Sequence, residues 1–321
     1  MDSWPAHAEQ VAETYGLGTP RAPMVWGANG EQGVIWRLDT AQGSFAVKEL
    51  LIAQTESGVA REVAFHEQAA TTATTYDVAR TVRTTDGQVL ATIAGRQVRV
   101  QTWLDMAGPD PGLDPAAVGH MLAELHAAGD PSTDEVDPWF TDALGAARWH
   151  ELVDGLSAAG SPALDRIARA VPRLVELETL LAPPTRLRLC HRDLWADNVR
   201  LTPAGRLCVF DWDNSGPADP SHELAMLLYE YGLDSPERIG ALFDAYRSAG
   251  GSARVSGPGD LTMVIAQFGH FYEMAIETLL RPALTPDDVA WANGRFDELE
   301  ERPLTMDSIG AILAATTDSG L

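Results

Sequence analysis

His191, Asp193 and Asn198 lie within one short run, His191-Arg192-Asp193-Leu194-Trp195-Ala196-Asp197-Asn198. An imidazole, a carboxylate and a neutral amide oxygen at this spacing suit phosphoryl-transfer chemistry. A carboxylate at Asp193 can orient an attacking hydroxyl and take its proton. The amide oxygen of Asn198 is a hard ligand for Mg²⁺ on the same loop. His191 is expected to fix the loop backbone.

A second carboxylate follows in Val209-Phe210-Asp211-Trp212-Asp213. Asp211 ends a short apolar strand, the place for the main Mg²⁺ ligand of such a site. Upstream, Phe45-Ala46-Val47-Lys48 is a strand ending in a lysine able to neutralise the α- and β-phosphates of a nucleotide. That lysine needs an acidic partner on the next helix. Of Glu62 and Glu67, Glu62 is chosen, because it lies between Val59 and Val63 beside the apolar stripe. The loop Gly27-Ala28-Asn29-Gly30-Glu31-Gln32-Gly33 can bring backbone N–H groups, Gly30's among them, close to phosphates. It is neither a Walker A loop nor a strict G-x-G-x-x-G, and a plain hairpin turn is the alternative.

These residues need elements to hold them. Residues 33–39 and 44–50 read as strands around the turn Thr40-Ala41-Gln42-Gly43, and 89–93 and 97–103 as strands around Ala94-Gly95-Arg96. A helix spans 56–71, where Val59, Val63 and His66 recur at helical spacing. After Leu104 the texture changes. Helical patterns cover 115–128, 140–158, 163–181, 221–231, 236–249 and 261–280, interrupted by one strand pair, 186–190 with 207–210. The expected fold is α+β and bilobal. Residues 1–104 form a small antiparallel-sheet lobe with one main helix, and 105–321 a larger, mostly helical lobe. The hinge falls at 101–106.

The bulk composition excludes several classes. Acidic residues outnumber basic ones 46 to 23, a formal charge of −23, which argues against a nucleic-acid binder. It fits a cationic ligand or simply an acidic surface. Two cysteines, Cys190 and Cys208, make neither a disulfide framework nor a zinc site. The start of the chain reads as no signal peptide, and no apolar run of about 18 residues marks a membrane span. A cytoplasmic protein is expected.

The first run matches every specified position of the kinase catalytic-loop pattern H-R-D-L-x-x-x-N. With the other elements, the chain resembles the aminoglycoside phosphotransferase and choline kinase-like superfamily, from the loop at Gly27 to the helix starting at Ser221. Leu122-Ala123-Glu124-Leu125-His126 is similar to the family's helix after the hinge. Ala218-Asp219-Pro220 through Glu223-Leu224-Ala225 is similar to its Gly-Asp-Pro and Asp-Leu-Ala stretch. Ala218 stands where glycine is usual, Glu223 where aspartate is, and Arg192 where glycine is frequent.

The resemblance implies a protein-kinase-like fold using ATP (GTP remains open) and Mg²⁺. Lys48, held by Glu62, engages the phosphates. Asp211 and Asn198 hold the metal, and Asp193 is the catalytic base. The backbone from Gln101 to Trp103 binds adenine. The partner is a small-molecule hydroxyl acceptor, cationic on this reading, for a monomer or homodimer. Trp195, Glu230, His270 and Glu273 are acceptor-side candidates, with Gln267 and Glu277 on the same helix as the last two. Carboxylates there would take ammonium groups of an aminoglycoside or amino sugar. Homoserine, choline, methylthioribose and simple sugars stay open as acceptors. A nucleotide-binding pseudokinase-like module is the alternative of another class. A protein kinase is disfavoured, because no activation segment follows Asp213.

Overall fold

The structure, a computed structural model, describes residues 4–30 and 33–318. Glu31 and Gln32 of the glycine-containing loop therefore lie outside the described residues. In chain order the elements begin with α1 (Ala8–Thr14), β1 (Val25–Asn29), β2 (Gly33–Thr40), β3 (Gly43–Leu50) and α2 (Glu56–Thr72). Then come β4 (Tyr76–Val78), β5 (Thr81–Val82), β6 (Ala91–Ile93) and β7 (Arg96–Thr102). The helices α3 (Pro115–Ala128), α4 (Gly145–Ala158) and α5 (Leu164–Glu178) precede β8 (Arg188–Cys190), β9 (Val199–Leu201), β10 (Leu207–Val209) and β11 (Gly216–Ala218). The chain closes with α6 (Pro220–Gly232), α7 (Pro236–Ser248), α8 (Thr262–Leu279), α9 (Pro286–Glu301) and α10 (Met306–Asp318).

The chain divides into two units: residues 1–110 with 197–215, and residues 111–196 with 216–321. This differs from the expected division after Leu104. The segment 197–215 folds with the first unit because β10 pairs in parallel with β4, Leu207 opposite Tyr76, and antiparallel with β9. The Ala107 N–H donates to the Leu201 carbonyl at 2.8 Å, tying the end of the first stretch to the same sheet.

In the first unit, the main sheet runs β1-β2-β3-β7-β5, with β6 on β7. The β2–β3 hairpin closes at Thr40 opposite Gly43, whose φ of +145° costs glycine little. The core is Leu38, Val47, Val98 and Val100 from alternate strand positions, sealed by Trp4, Val11 and Tyr15 from the N-terminal helix region. Helix α2 starts at Thr55, whose hydroxyl accepts the Gly58 N–H, and buries Val59, Val63, Phe65, His66 and Ala69.

The second unit is helical. Asp114, Asp219, Ser235 and Thr285 cap α3, α6, α7 and α9, each followed by proline at the first turn. Helix α6 is buried along almost its whole length, so no amphipathic stripe marks it. The expected strand pair 186–190 with 207–210 does not form. β8 pairs with β11, Cys190 opposite Gly216, while β10 pairs with β9 and β4. Three-residue strands carry too little alternation to reveal their partners. The helix expected from Phe140 begins at Gly145, after a 3₁₀ turn over Pro138–Phe140. Among the described residues, no helix is long and apolar enough to cross a membrane.

Candidate active site

Lys48 and Arg99 are direct partners across the β3–β7 ladder, so both side chains leave the same face of the sheet. The Lys48 ammonium lies 3.0 Å from Asp211 Oδ1 and 2.5 Å from Asp213 Oδ2. Arg99 pairs with Glu62 at 2.7 Å and with Asp213. The expected Lys48–Glu62 pair is thus corrected. Arg99, whose long fork stands beside Lys48, takes Glu62, and Lys48 turns to the two aspartates. The rejected candidate, Glu67, pairs with Arg83 at 2.7 Å. Gly33 is required beside this network, because a Cβ there would sit 2.6 Å from the Glu49 carbonyl and 3.1 Å from the Lys48 side chain.

Burial pushes the Lys48 ammonium below its usual range, although Asp211 opposes this. Burial also pushes the Glu62 carboxyl up against the pull of Arg99. Two cations here face three carboxyl groups, and the Asp211 side chain keeps 40% of its surface exposed. The backbone of Asp211 is left-handed, φ +56°. Its position is fixed by its neighbour Trp212, fully buried and stacked on His66 of α2 with ring centroids 4.8 Å apart. Phe65 meets the same indole edge-on at 5.4 Å.

Asn198 and Asp211 flank the β9–β10 pair at the same end. Val199 is opposite Val209, and the Phe210 N–H donates to the Asn198 carbonyl at 3.2 Å. A carboxylate and an amide on residues at the same end of one strand pair are hard oxygen groups of the kind that suit Mg²⁺.

The nucleotide-side backbone is less open than expected. The N–H groups of Thr102 and Trp103 already donate to the carbonyls of Arg80 and Ser44, each at 2.9 Å. Gln101 sits in the ladder opposite Ala46 and Thr81. The Trp103 ring would lie 3.2 Å from a Cβ at Gly27, and the guanidinium of Arg37 lies 5.1 Å over that ring. Gly30 is exposed at the β1–β2 turn, its N–H donating to the Gly33 carbonyl at 2.8 Å, so that donor also closes the hairpin.

In the second unit, the catalytic-loop backbone is held at four points. The Arg192 N–H donates to Glu223 at 2.5 Å, and the Arg192 carbonyl accepts from Gln267 at 3.1 Å. The Leu194 carbonyl accepts from the Tyr231 hydroxyl at 3.1 Å, and the Ala196 N–H donates to Glu230 at 3.1 Å. All four supports stand on α6 and α8, with Asp193 half-buried between them in sequence. Arg192 is left-handed at φ +67°, and its guanidinium stacks 4.2 Å over Phe140. A Cβ at Gly216 would collide with that guanidinium at 2.5 Å. His191 is fully buried.

Glu223 is anchored in turn by His126, 2.9 Å away, whose other ring nitrogen meets the Tyr246 hydroxyl at 2.9 Å. Because that hydroxyl accepts the Ala253 N–H, it donates to His126, and the imidazole then donates to Glu223. Burial works against the Glu223 carboxylate, but the bonds from His126 and the Arg192 N–H outweigh it and hold the group below its usual range. His126, which the sequence offers as a buried or capping histidine rather than a ligand, therefore acts through Glu223 on the loop. Its own helix gives no sign of that, since the partner lies on α6.

Asp219 closes the loop's other flank. It accepts from the backbone N–H of Ser221, Thr185 and Arg186 at 2.8–3.1 Å. Burial raises its pKa, but these N–H groups together outweigh it and hold the carboxyl low. Its stabilising effect is therefore present above the unfolded value of about 3.9 and is lost as pH falls through the lower folded value. Asp219→Ala is expected to cost about 1–3 kcal/mol in urea unfolding at pH 7, with the gap to wild type narrowing in acid. An equal cost at pH 7 and pH 3 would contradict this.

The acidic acceptor-side candidates are paired with arginines. Glu230 pairs with Arg302 as well as holding Ala196. Glu273 pairs with Arg148 at 2.6 Å and lies 3.3 Å from His270. Glu277 shares the same arginine. Sequence reading missed Arg99, Asp213, Arg148 and Arg302. Only Asp213 carried a local signal, its position two residues after Asp211.

An antiparallel sheet with a buried lysine–aspartate pair, followed by a helical unit carrying an His-Arg-Asp loop, defines the kinase class of phosphotransferases. The chain belongs to the phosphotransferase enzyme family, whose sequence model matches residues 28–257. An uncharacterized protein of Deinococcus radiodurans is 30% identical over 144 residues, which is 42% of this chain and 40% of that protein. A solved spectinomycin phosphotransferase, in complex with ADP and spectinomycin, superimposes over 97% of each chain at 14% identity and a TM-score of 0.66. A choline/ethanolamine kinase family protein of Mesorhizobium loti matches over 96% of this chain and 98% of that one, at 17% identity and a TM-score of 0.56. These structures share the fold.

Proposed function

We propose that the chain moves the γ-phosphoryl group of ATP, with Mg²⁺, onto a hydroxyl of a small molecule. The observation that carries this reading is the pairing of Asn198 and Asp211 at one end of β9–β10, beside Lys48. Lys48 is the cation for the phosphates. Asn198 and Asp211 would hold Mg²⁺, which when bound neutralises phosphate charge. Asp193 orients the acceptor hydroxyl and takes its proton; positioning and electrostatics supply most of the rate. The ADP seen with the spectinomycin enzyme supports a nucleotide as donor.

Only residues 214–219 separate Asp213 from α6, which leaves no length for a peptide-holding segment and favours a small acceptor. A pseudokinase-like binding module would have no use for Asp193 on a loop held at four points. The amino-sugar or aminoglycoside reading needs carboxylates free to take ammonium groups, and the arginine pairs of Glu230 and Glu273 count against it.

The test is titration calorimetry of ATP with and without Mg²⁺, followed by ADP release with a panel of hydroxyl compounds. Mg²⁺-dependent ATP binding and acceptor-dependent ADP release are expected. Absence of Mg²⁺-dependent ATP binding would refute the reading.

A further inference from the structure

Around the catalytic loop of the second unit lie polar atoms that the loop's support leaves unused. Gln267 is 1% exposed and spends its amide N–H₂ on the Arg192 carbonyl, next to Asp193. Its Oε1 is buried with no hydrogen-bond partner. One turn on, His270 stacks on Trp139, ring centroids 4.7 Å apart and planes 16° apart. Its Nδ1 lies 3.3 Å from Glu273, while its Nε2 is buried and unpartnered. Trp195, in the loop itself, meets Phe271 at 6.0 Å, and Phe271 meets Trp139 at the same spacing. The Trp195 indole N–H is also buried without a partner.

One donor, one acceptor and one ring nitrogen are thus left unsatisfied around a chain of touching rings. Burying such an atom without a partner is costly, and native proteins keep few of them without a use. All three are uncharged groups or an imidazole. The buried Glu230 and the half-buried Glu273 each pair with an arginine, Arg302 and Arg148. Glu151 and Glu277, which share Arg148, keep 68% and 55% of their side-chain surface in solvent. An ammonium group reaching Glu230 or Glu273 would compete with the guanidinium already bonded to each.

Resting on the kinase reading above, we propose that this cluster is the acceptor subsite and selects an uncharged polyhydroxyl ring, a sugar or cyclitol without amino groups. The ring's C–H face lies on the aromatic surface of Trp139, Trp195 and Phe271. Hydroxyls are donor and acceptor at once, so they satisfy Gln267 Oε1, His270 Nε2 and the Trp195 N–H together. Gln267 links the two tasks, since the same amide holds the backbone beside Asp193.

The experiment measures Mg²⁺-ATP-dependent ADP release with two sets: glucose, galactose and myo-inositol against glucosamine, kanamycin and choline. A neutral ring is expected to give kcat/KM at least about tenfold above the best amino compound, the discrimination expected when a charge must enter a site built for hydroxyls. Trp195→Phe keeps the ring and removes only the N–H, and His270→Phe keeps the stack and removes the nitrogen. Each is expected to raise KM for the neutral ring about tenfold or more with ATP affinity unchanged, as losing a substrate hydrogen bond does. Gln267→Leu should lower kcat as well. Turnover confined to the amino set, a flat neutral set with ATP binding intact, or unchanged KM in both conservative variants overturns the acceptor class while leaving the kinase reading standing. Failure of ATP binding overturns the kinase reading itself.

Discussion

The Asp193→Asn variant is expected to lose about 10²–10⁴-fold in turnover, the usual contribution of a positioned general base, while binding Mg²⁺-ATP as tightly as wild type. The asparagine is isosteric, so it leaves the loop backbone where Glu223, Gln267, Tyr231 and Glu230 hold it. None of those four bonds involves the residue's carboxylate. What is lost is the capacity to accept a proton from the acceptor hydroxyl. ADP release under saturating acceptor, alongside calorimetry with ATP, separates the two. Turnover above about a few per cent of wild type would remove Asp193 from the role of base. A fall in ATP affinity would instead mean that the loop had moved, which Glu223→Ala should reproduce by unseating the Arg192 N–H.

The loop proposed as catalytic stood out because its candidate base, its candidate metal ligand and their spacing all fall in one run. Lys48 was legible as the end of an alternating strand. Helix α2 was read to within a residue at its end, and the inward face that carries Glu62 followed from Val59 and Val63. The identity of its partner did not follow. Val98-Arg99-Val100 reads as a plain buried strand, and only the β3–β7 register brings Arg99 beside Lys48. The same limit hid the second strand system. β4 and β10 pair over a separation of more than 120 residues, and three-residue strands have no period to detect. The acidic residues of α6 and α8 were visible as acids, but Arg148 reaches them from α4 and Arg302 from just past the end of α9. Net charge, summed over the whole chain, carried no information about that local pairing.

Asp211 and Asp213 stand two residues apart, both touch Lys48, and they should fail in opposite ways. The Asp213 side chain is 3% exposed and sits between Arg99, which is buried, and Lys48, which keeps 12% of its side-chain surface exposed. Asp213→Ala leaves two cations facing each other across the ladder with one anion fewer, and breaking a buried pair of this kind costs about 3–5 kcal/mol. Glu62 cannot compensate for both, since it is already bonded to Arg99. The expected result is a large drop in the urea midpoint. Asp211→Ala removes a carboxylate that keeps 40% of its surface in solvent, and Asp213 remains to pair with Lys48. Its stability should stay close to wild type, while Mg²⁺-dependent ATP binding is lost, because the more exposed carboxylate is the one able to reach a metal. Urea unfolding and calorimetry on the two variants check both halves. If Asp211→Ala binds Mg²⁺-ATP normally, or if Asp213→Ala unfolds at the wild-type midpoint, the roles given to the two aspartates must be exchanged or abandoned.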